Sequence, residues 1–466
     1  MDKHFGKLYS TSDGWRAVIG DAFTFDNIRR LTFAIGKYLQ LLEIKRPRAL
    51  VAFDTRFMGN IFAEEIVGVL MNQGIECDMV GRPIPTPLLS WVVYQAYNIG
   101  LMVTASHNPP YYNGLKIRMP YGGPPDENTM RKIEELIIDI PPETAKIKDT
   151  NTINPWNDYI DAIRNKLDLS LIDNAAPIIA VDSMHGVTAG LLKDILSGTS
   201  AKVIQVRSEP DPLFGGISPE PKLDTVLPLI EEVKRSDCVI GVAHDGDGDR
   251  IVAVDPTYGY LSPHDLLTLL SFDLVRRKGL SGSIVASVST TRRIRKAAKF
   301  LERVFHEVPI GFRNACELMR AEKVLVAGEE NGGIGIGSHL PERDGTLIAA
   351  LLVEMISDRK KGPGEYLLEL ENIVGKASFM RRDIKVNRPA KEAVDSFTSN
   401  LPHYIADYKI LEHSTIDGVK LFLEKGSWVL IRAAGTEPLI RIYAEADDVL
   451  MCESIIGAVF DHLSKC

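Results

Sequence analysis

Three aspartates at alternate positions carry the clearest chemical signal in the sequence, in the segment Asp245-Gly-Asp247-Gly-Asp249-Arg250. Carboxylates this close repel one another unless a cation lies between them, and ligand sets made only of oxygen favour a hard ion such as Mg²⁺. An EF-hand loop begins with the same spacing, but it requires Gly at its sixth position and usually Glu at its twelfth. Those positions hold Arg250 and Pro256 here. The segment therefore predicts a magnesium site, and a solvated acidic turn is the alternative.

A serine follows the apolar run Ile99–Val103, in the segment Thr104-Ala-Ser106-His107-Asn-Pro-Pro. Open α/β sheets bind ligands at the carboxyl ends of their strands, which makes Ser106 a candidate nucleophile. A serine hydroxyl needs a base, and His107 and Lys116 are the candidates that follow it in the sequence. The chain contains no G-x-S-x-G elbow, so a serine hydrolase of the α/β-hydrolase type is disfavoured. A structural turn is the alternative, because Asn-Pro sequences form turns.

A loop near the end of the chain carries two arginines around a Gly-Thr turn, in the segment Arg432-Ala-Ala-Gly435-Thr436-Glu-Pro-Leu-Ile-Arg441. A short Gly-Thr turn offers backbone N–H groups and a hydroxyl to an anion. Arginines supply forked donors that match phosphate oxygens. The loop therefore predicts a phosphate site, with an ordinary hairpin loop as the alternative.

Adjacent carboxylates and glycines mark a further loop, Gly328-Glu329-Glu-Asn331-Gly-Gly333. Ionised carboxylates only accept hydrogen bonds, so they suit sugar hydroxyls better than phosphates. The glycines do not match the dinucleotide fingerprint, and no G-x-x-x-x-G-K-[ST] segment occurs in the chain. A sugar-binding loop is therefore the preferred interpretation.

Strands and helices must bring these loops together. Residues 48–56, 177–186 and 282–291 each start with an apolar, β-rich run that ends in a polar loop. Continuous runs of Val, Ile and Ala are typical of strands buried on both faces. We therefore predict three consecutive α/β domains with mixed, mainly parallel sheets, over residues 1–150, 151–255 and 256–368.

The last part of the chain, residues 369–466, has a different pattern. Residues 427–432 (SWVLIR) and 439–444 (LIRIYA) are typical of adjacent strands joined by the arginine loop. Residues 449–463 are typical of a closing helix. This pattern predicts a smaller C-terminal α+β domain.

The composition limits the classes of partner. The chain has 466 residues, 45% of them hydrophobic, and a formal net charge of -8. The acidic balance argues against nucleic-acid binding, which needs a surplus of Lys and Arg on one face, but a local basic cleft could still bind a small anion. The cysteines are scattered singly, without a CxxC pair. The amino terminus lacks the apolar stretch of a signal peptide, and no apolar run could span a bilayer, so we expect no membrane partner and a cytoplasmic location.

Together the four loops resemble those of the α-D-phosphohexomutases, the family that includes phosphoglucomutases, phosphomannomutases and phosphoglucosamine mutases. The serine, metal, sugar and phosphate loops occur in that family's order, one in each predicted domain. Further similar segments are residues 12–16 (SDGWR), 54–56 (DTR), 209–212 (EPDP) and 214–216 (FGG). The resemblance covers essentially the whole chain and implies four domains around a central cleft.

By matched position, the resemblance implies a role for each candidate residue. The metal ligands would be an oxygen of phosphorylated Ser106 together with Asp245, Asp247 and Asp249. The catalytic groups would be Ser106, Arg16, Lys116 as the preferred general base, and the neighbouring His107. The substrate-binding groups would be Arg250, Arg313, the sugar-reading pair Glu329 and Asn331, and the phosphate clamp Arg432, Gly435, Thr436 and Arg441.

The activity implied by the resemblance is the interconversion of hexose 1-phosphate and hexose 6-phosphate. Glucose or mannose would be the sugar, and a hexose 1,6-bisphosphate would be both intermediate and activator. Phosphoglucosamine mutase is the nearest alternative, and a non-catalytic sensor and a phosphatase are the others. We expect a monomer or homodimer that binds small hexose phosphates.

Three positions depart from the commoner pattern of that family. Asn331 and Ala434 each stand where Ser is usual, and Gly333 stands where many members have His. Asn331 can still hydrogen-bond a sugar hydroxyl, so its effect should be on preference between sugars. Ala434 lacks the hydroxyl that would bind the phosphate, which predicts weaker affinity or an unusual substrate.

Overall fold

Four β-sheets follow one another along the chain. The computed structural model describes residues 13–144, 150–386, 389–434 and 439–465. The first three sheets combine parallel and antiparallel strands, and the fourth is antiparallel throughout. The predicted class, three α/β units followed by a C-terminal α+β unit, is confirmed. Within the described ranges, no helix is both long and apolar enough to cross a membrane.

Six strands form the first sheet: β1 (Trp15–Val18), β2 (Arg48–Phe53), β3 (Glu76–Val80), β4 (Ile99–Val103), β5 (Tyr112–Arg118) and β6 (Asn151–Ile153). Their order is β1-β5-β4-β2-β3-β6. The helices of this segment are α1 (Phe25–Leu41), α2 (Gly59–Asn72), α3 (Thr86–Ala96) and α4 (Glu127–Glu135). Strand β4 is buried along its whole length, because apolar residues on both of its faces meet helices.

The second sheet has the strands β7 (Ile178–Asp182), β8 (Lys202–Val206), β9 (Ile240–His244), β10 (Ile251–Asp255) and β11 (Gly259–Leu261). Their order is β11-β10-β9-β7-β8. Its helices are α5 (Trp156–Arg164), α6 (Leu169–Ala175), α7 (Leu191–Ile195) and α8 (Leu227–Arg235). The first two sheets thus reach residues 153 and 261, and the predicted domain boundaries at residues 150, 255 and 368 stay predictions.

The third sheet has the strands β12 (Ser283–Ser287), β13 (Phe305–Val308), β14 (Val324–Gly328) and β15 (Ile334–Ile336), in the order β13-β12-β14-β15. Its helices are α9 (Pro263–Arg276), α10 (Arg292–Phe300), α11 (Phe312–Ala321), α12 (Gly345–Arg359) and α13 (Pro363–Val374). Helix α12 is apolar almost all round because it contacts β9 and β10 as well as β15. It therefore ties the second sheet to the third.

The fourth sheet has the strands β16 (Ser378–Lys385), β17 (Tyr404–Ile405), β18 (Tyr408–Ser414), β19 (Val419–Leu423), β20 (Trp428–Ala433) and β21 (Leu439–Ala446). Their order is β16-β21-β20-β19-β18-β17. The helices α14 (Ala390–Ser399) and α15 (Val449–Lys465) pack against it.

Apolar packing separates the fourth unit from the others. One core continues through the first three sheets, whereas the fourth sheet has a core of its own. The two meet in the cluster Val288, Trp428, Leu430 and Tyr443. Beside this cluster, the buried Lys420 ammonium donates to Val288 O at 2.7 Å and to Glu307 Oε1 at 2.8 Å. The contact between the third and fourth units therefore combines apolar packing with charge-assisted hydrogen bonds.

Candidate active site

The serine loop follows β4 and is held in a strained conformation. Ser106 has a left-handed backbone, with φ of 53°, which costs a non-glycine residue about 1–3 kcal/mol. Its N–H donates to Thr104 Oγ1 at 2.8 Å, and the Thr104 hydroxyl donates to Asp54 Oδ2 at 2.6 Å. The Arg56 guanidinium donates to the loop carbonyls of Ser106, Asn108, Pro109 and Tyr112. Two residues that follow β2, Asp54 and Arg56, therefore fix the serine.

The aspartate loop follows β9. Asp245, Asp247 and Asp249 are fully buried, and one oxygen of each lies within 4.8 Å of the others. Ser106 Oγ donates to Asp245 Oδ2 at 2.7 Å, although the two residues belong to different sheets. The structure therefore brings the predicted nucleophile and the predicted metal ligands into contact.

The donor set of this loop fits a hard divalent cation. Asp247 Oδ1 and Asp249 Oδ1 are buried, and neither accepts a hydrogen bond from any residue that the structure describes. Burial raises the pKa of Asp245 well above its usual value, and the carboxylates of Asp249 and Asp247 raise it further. A cation among these carboxylates would relieve their repulsion and supply the missing partner.

Lys116 is a buried cation beside the aspartates. From β5 its Nζ reaches Asp13 Oδ2 at 2.8 Å, Asp247 Oδ2 at 2.7 Å and Asp249 Oδ2 at 2.6 Å. Burial alone would lower the pKa of Lys116, but the three carboxylates outweigh burial and raise it. The side chain is therefore an ammonium that donates hydrogen bonds, and it must lose a proton before it can serve as the predicted base.

His107 and Arg16 lie between the serine and the cavity. His107 Nδ1 is 3.5 Å from Ser106 Oγ and 3.4 Å from Arg16 Nη1. Burial holds the pKa of His107 well below its usual value, and the cations of Arg250 and Arg16 lower it further. Arg16 Nη1 also donates to Asn108 Oδ1 at 2.8 Å. The serine hydroxyl therefore has a neutral imidazole beside it and a guanidinium next to that ring.

A cavity of about 870 Å³ adjoins these residues, and all four sheet-containing segments contribute to its wall. The predicted site residues on the wall are Arg16, His107, Arg250, Arg313, Glu329, Asn331, Arg432 and Arg441. Ser106, Lys116 and the three aspartates are buried next to it. The two remaining predicted residues, Gly435 and Thr436, lie outside the described residues.

The sugar loop follows β14 and is joined to the aspartate loop by a backbone bridge between Arg250 and Gly333. Glu329 Oε1 accepts a hydrogen bond from the Gly311 N–H at 2.9 Å. Burial raises the pKa of Glu329 to about 7. Asn331 Oδ1 accepts from the Gly333 N–H at 3.0 Å, which closes the turn of the loop. Glu329 therefore titrates near neutral pH and is an acceptor for hydroxyl groups when ionised.

The two arginines of the phosphate loop are cross-strand neighbours on β20 and β21. Arg432 Nε donates to Asp417 Oδ1 at 2.7 Å, and Asp417 Oδ2 accepts from the Ile310 N–H at 3.0 Å. Arg441 Nε lies 3.7 Å from Asp383 Oδ2. Asp417 therefore joins an arginine of the fourth unit to the loop that leads into α11.

Several charged residues on the cavity wall are absent from the predicted set, among them Asp13, Arg343 and Asp417. Asp13 Oδ2 accepts from Arg343 Nη2 at 2.5 Å and from Lys116 Nζ at 2.8 Å. A sequence signal exists for Asp13, because residues 12–16 (SDGWR) are among the segments that resemble the family, but none exists for Arg343. Asp417 carries no such signal, since Asp417-Gly418 is typical of an ordinary hairpin turn.

Models of four domains match the chain in sequence order. They describe the phosphoglucomutase/phosphomannomutase α/β/α domain I (residues 7–143), domain II (157–259) and domain III (262–373), and the C-terminal domain (384–459). The chain belongs to the phosphoglucomutase/phosphomannomutase family.

Relatives within this phosphohexomutase family match over nearly the whole chain. A phosphoglucomutase/phosphomannomutase of Thermococcus kodakarensis is 30% identical over 450 residues, 95% of each protein. A phosphoglucosamine/phosphogalactosamine mutase of Sulfurisphaera tokodaii is 28% identical over 99% of each. The crystal structure of a candidate phosphomannomutase from Thermus thermophilus has a TM-score of 0.86 at 32% identity, covering 97% of this chain and 98% of that one.

Phosphomutases are isomerases of the intramolecular phosphotransferase type, and this phosphohexomutase is accordingly an enzyme of that class. Its relatives carry the names of different sugars. Family membership therefore gives the class of reaction but leaves the hexose open.

Proposed function

We propose that the protein interconverts hexose 1-phosphate and hexose 6-phosphate, with glucose or mannose as the sugar. The observation that carries the proposal is the 2.7 Å contact between Ser106 Oγ and Asp245 Oδ2 beside a cavity whose wall includes Arg432 and Arg441 of the fourth unit. One end of this arrangement, the serine with the aspartates, can transfer a phosphoryl group, and the other end, the arginines, can hold a phosphate. A mutase needs both ends, because its substrate and product differ only in which oxygen carries the phosphate.

A magnesium ion would be held by Asp245, Asp247, Asp249 and an oxygen of phosphorylated Ser106. Bound there, it would supply positive charge to the oxygens of the phosphoryl group that is transferred. The observations that support this assignment are the two carboxylate oxygens that accept no hydrogen bond from the described residues and the burial of all three aspartates.

The proposed reaction has two balanced halves. In the first, the bond between Ser106 Oγ and phosphorus breaks as a bond forms between phosphorus and the free hydroxyl oxygen of the hexose phosphate. The hydroxyl proton passes to Ser106 Oγ, and we assign Lys116 as its carrier: neutral Lys116 takes the proton from the hydroxyl and, as the ammonium, gives it to Ser106 Oγ, with His107 beside the same oxygen. The product of this half is an enzyme-bound hexose 1,6-bisphosphate. In the second half, the other phosphoryl group moves to Ser106 and the proton returns.

The bisphosphate must turn end for end between the two halves. Arg432 and Arg441 would hold the phosphate that is not reacting, whichever carbon carries it. Arg250 and Arg313 also line the cavity, and Glu329 and Asn331 would accept the sugar hydroxyls. The cavity volume of about 870 Å³ leaves room for a hexose bisphosphate to reorient.

Turnover of defined substrates tests the proposal. We expect isomer formation from glucose 1-phosphate or mannose 1-phosphate in the presence of Mg²⁺ and the matching bisphosphate. Intact-mass measurement should show one added phosphoryl group that maps to Ser106. Release of free phosphate in excess of isomer would instead identify a phosphatase, and absence of both turnover and phosphorylation would identify a sensor.

Phosphoglucosamine mutase activity is the second candidate, supported by the Sulfurisphaera tokodaii relative. Turnover of glucosamine 1-phosphate at a kcat/KM above that of the neutral sugars would favour it. A cytoplasmic location and a monomeric or dimeric state remain predictions.

A further inference from the structure

A second cavity, of about 860 Å³, lies at the edge of the second sheet where β7 and β9 begin. Its wall includes Pro177, which precedes β7, and Val239, which precedes β9. Asp255 also lines it, because β10 runs antiparallel to β9 and ends at the same edge. The cavity shares no lining residue with the active-site cavity. The two are therefore separate spaces, and the aspartate loop follows the other end of β9.

The linker between α12 and α13 gives this cavity a fixed wall. A Cβ atom at Gly364 would collide with Tyr258 Cβ, and one at Gly362 would lie 2.7 Å from Asp255 Oδ2. The Asp255 carboxylate accepts hydrogen bonds from the N–H groups of Gly364, Thr257 and Tyr258, each at 2.8 Å. The two glycines therefore let the linker pack directly on the turn between β10 and β11.

The cavity presents apolar surface to solvent. Leu368 and Tyr258 line it and are 49% and 38% exposed, and Val239 and Ile356 lie beside them on the wall. Sites for small molecules have volumes of about 300–1,000 Å³ and are lined mainly by apolar side chains with a few polar groups. The volume and the wall of this cavity therefore suit a small, largely apolar molecule.

One charged side chain on the wall is left over for a ligand. Lys361 Nζ contacts Glu365 Oε1 at 2.9 Å and Glu369 Oε1 at 2.8 Å, and Asp255 is held by the three N–H groups. Lys360 is exposed, and it forms no ion pair with any residue that the structure describes. Its ammonium would complement an acidic group on an otherwise apolar ligand.

Three elements connect this cavity to the aspartate loop. Val239 and Asp255 line the cavity at one end of β9 and β10, and residues 245–250 join the other ends of these strands. Helix α12 begins at Gly345, whose N–H donates to Gly248 O at 3.2 Å, and its last turn forms part of the cavity wall. All three elements are buried, and close-packed interiors transmit strain.

We infer that this cavity is an effector site for a small apolar molecule that carries one acidic group. The apolar part packs against Val239, Ile356 and Leu368, and Lys360 binds the acidic group. Occupation of the site changes turnover through β9, β10 and α12, which end at the aspartate loop. Binding at this site is independent of the proposed function, and only its effect on turnover rests on that function.

Anilinonaphthalene sulfonate is the probe, since it is an apolar aromatic anion that fluoresces strongly only away from water. We expect one molecule to bind per chain, also when glucose 6-phosphate is saturating. Ala175→Trp should raise its Kd at least about tenfold, because residue 175 is the exposed last residue of α6 and its indole would fill the cavity. Ala96→Trp, at the exposed end of α3, is the matched control and should bind as the wild type does.

Replacement of the lysine tests the acidic group. Lys360→Gln should raise the Kd of the probe roughly two- to fivefold, the scale of an ion pair at an exposed site. Lys425→Gln is the control, because Lys425 is another exposed lysine with a left-handed backbone, at φ of 58° against 54° for Lys360. Equal Kd values in the two variants would overturn the assignment of an anionic ligand.

Turnover of glucose 1-phosphate tests the effector role. The saturating probe should change kcat/KM at least about twofold in the wild type and in Ala96→Trp, and should leave Ala175→Trp unchanged. An equal change in all three proteins, or none in any, would overturn the inference. Displacement of the probe by glucose 6-phosphate would do the same, because the probe would then occupy the active site.

Sedimentation and the basal assays separate the remaining outcomes. A wild-type dimer that Ala175→Trp dissociates would show that a second copy of the chain covers the cavity, and would overturn the inference. Melting temperatures close to that of the wild type show that the variants fold. A wild-type protein without turnover of any hexose phosphate would contradict the proposed function alone, since fluorescence still decides whether the site exists.

Discussion

At the scale of single residues, Ser106 offers the most direct test of the proposed chemistry. Replacing Ser106 by Ala removes the oxygen that would carry the phosphoryl group, so we expect turnover of glucose 1-phosphate to fall at least about a hundredfold. Ser90→Ala is the matched control, because Ser90 is also buried in the first segment and its Oγ bonds to no described residue. Near-normal turnover of Ser106→Ala would remove the serine from the mechanism.

Glu329 gives the site a pH dependence of its own. Burial raises the pKa of Glu329 to about 7, so the carboxylate that we propose as the acceptor for sugar hydroxyls is lost as the pH falls through that value. Between pH 7 and pH 6 the KM for glucose 1-phosphate should therefore rise roughly fivefold. Steady-state kinetics on wild type and Glu329→Gln at both pH values measure the effect.

The substrate phosphate also titrates, and its titration affects wild type and Glu329→Gln alike. Comparing the two proteins therefore isolates the effect of Glu329. The KM of Glu329→Gln should be high at both pH values and should keep only the dependence due to the substrate. An equal rise of KM in the two proteins would show that Glu329 does not titrate in this range.

At the scale of secondary-structure elements, the loops that carry the site are predictable from the sequence. Ser106, Asp245 and Glu329 each follow an apolar run that forms a buried strand, and the carboxyl end of such a strand is where a ligand loop is expected. The contacts between loops are not predictable in this way. Lys116 Nζ bonds to Asp249, 133 residues later, and only the packing of one sheet against another brings the two together.

The turn between β18 and β19 carries Asp417, and its local sequence does not indicate the long-range contacts that this residue makes. Asp417 holds the Arg432 guanidinium and the Ile310 N–H at once. We expect Asp417→Ala to raise the KM for glucose 1-phosphate roughly tenfold, because the arginine loses its fixed orientation. The kcat should change less, since the reacting end is untouched. Asp395→Ala, on the exposed face of α14, is the control; equal KM values in the two variants would contradict a positioning role.

At the scale of the whole molecule, the fourth unit depends on a polar contact with the third. Lys420→Met would leave the Glu307 carboxylate and the Val288 carbonyl without their buried donor. We expect the free energy of unfolding to fall by roughly 2–4 kcal/mol. Urea unfolding measures the change, with Lys409→Met, an exposed lysine on β18, as the control. A stability equal to that of the control would show that apolar packing alone holds the contact.

The wall of the cavity is completed late in the chain, since Arg441 and Tyr443 belong to β21, the last strand. A nascent polypeptide therefore contains the serine and the aspartates long before it contains all the residues of the cavity wall. A product terminated before residue 439 would lack the part of the wall that Arg441 and Tyr443 supply, so water would reach a phosphoserine more easily and a bisphosphate would be held less firmly. Premature termination should consequently yield a protein that loses the phosphoryl group of the phosphoserine to water, rather than one that isomerises hexose phosphates more slowly.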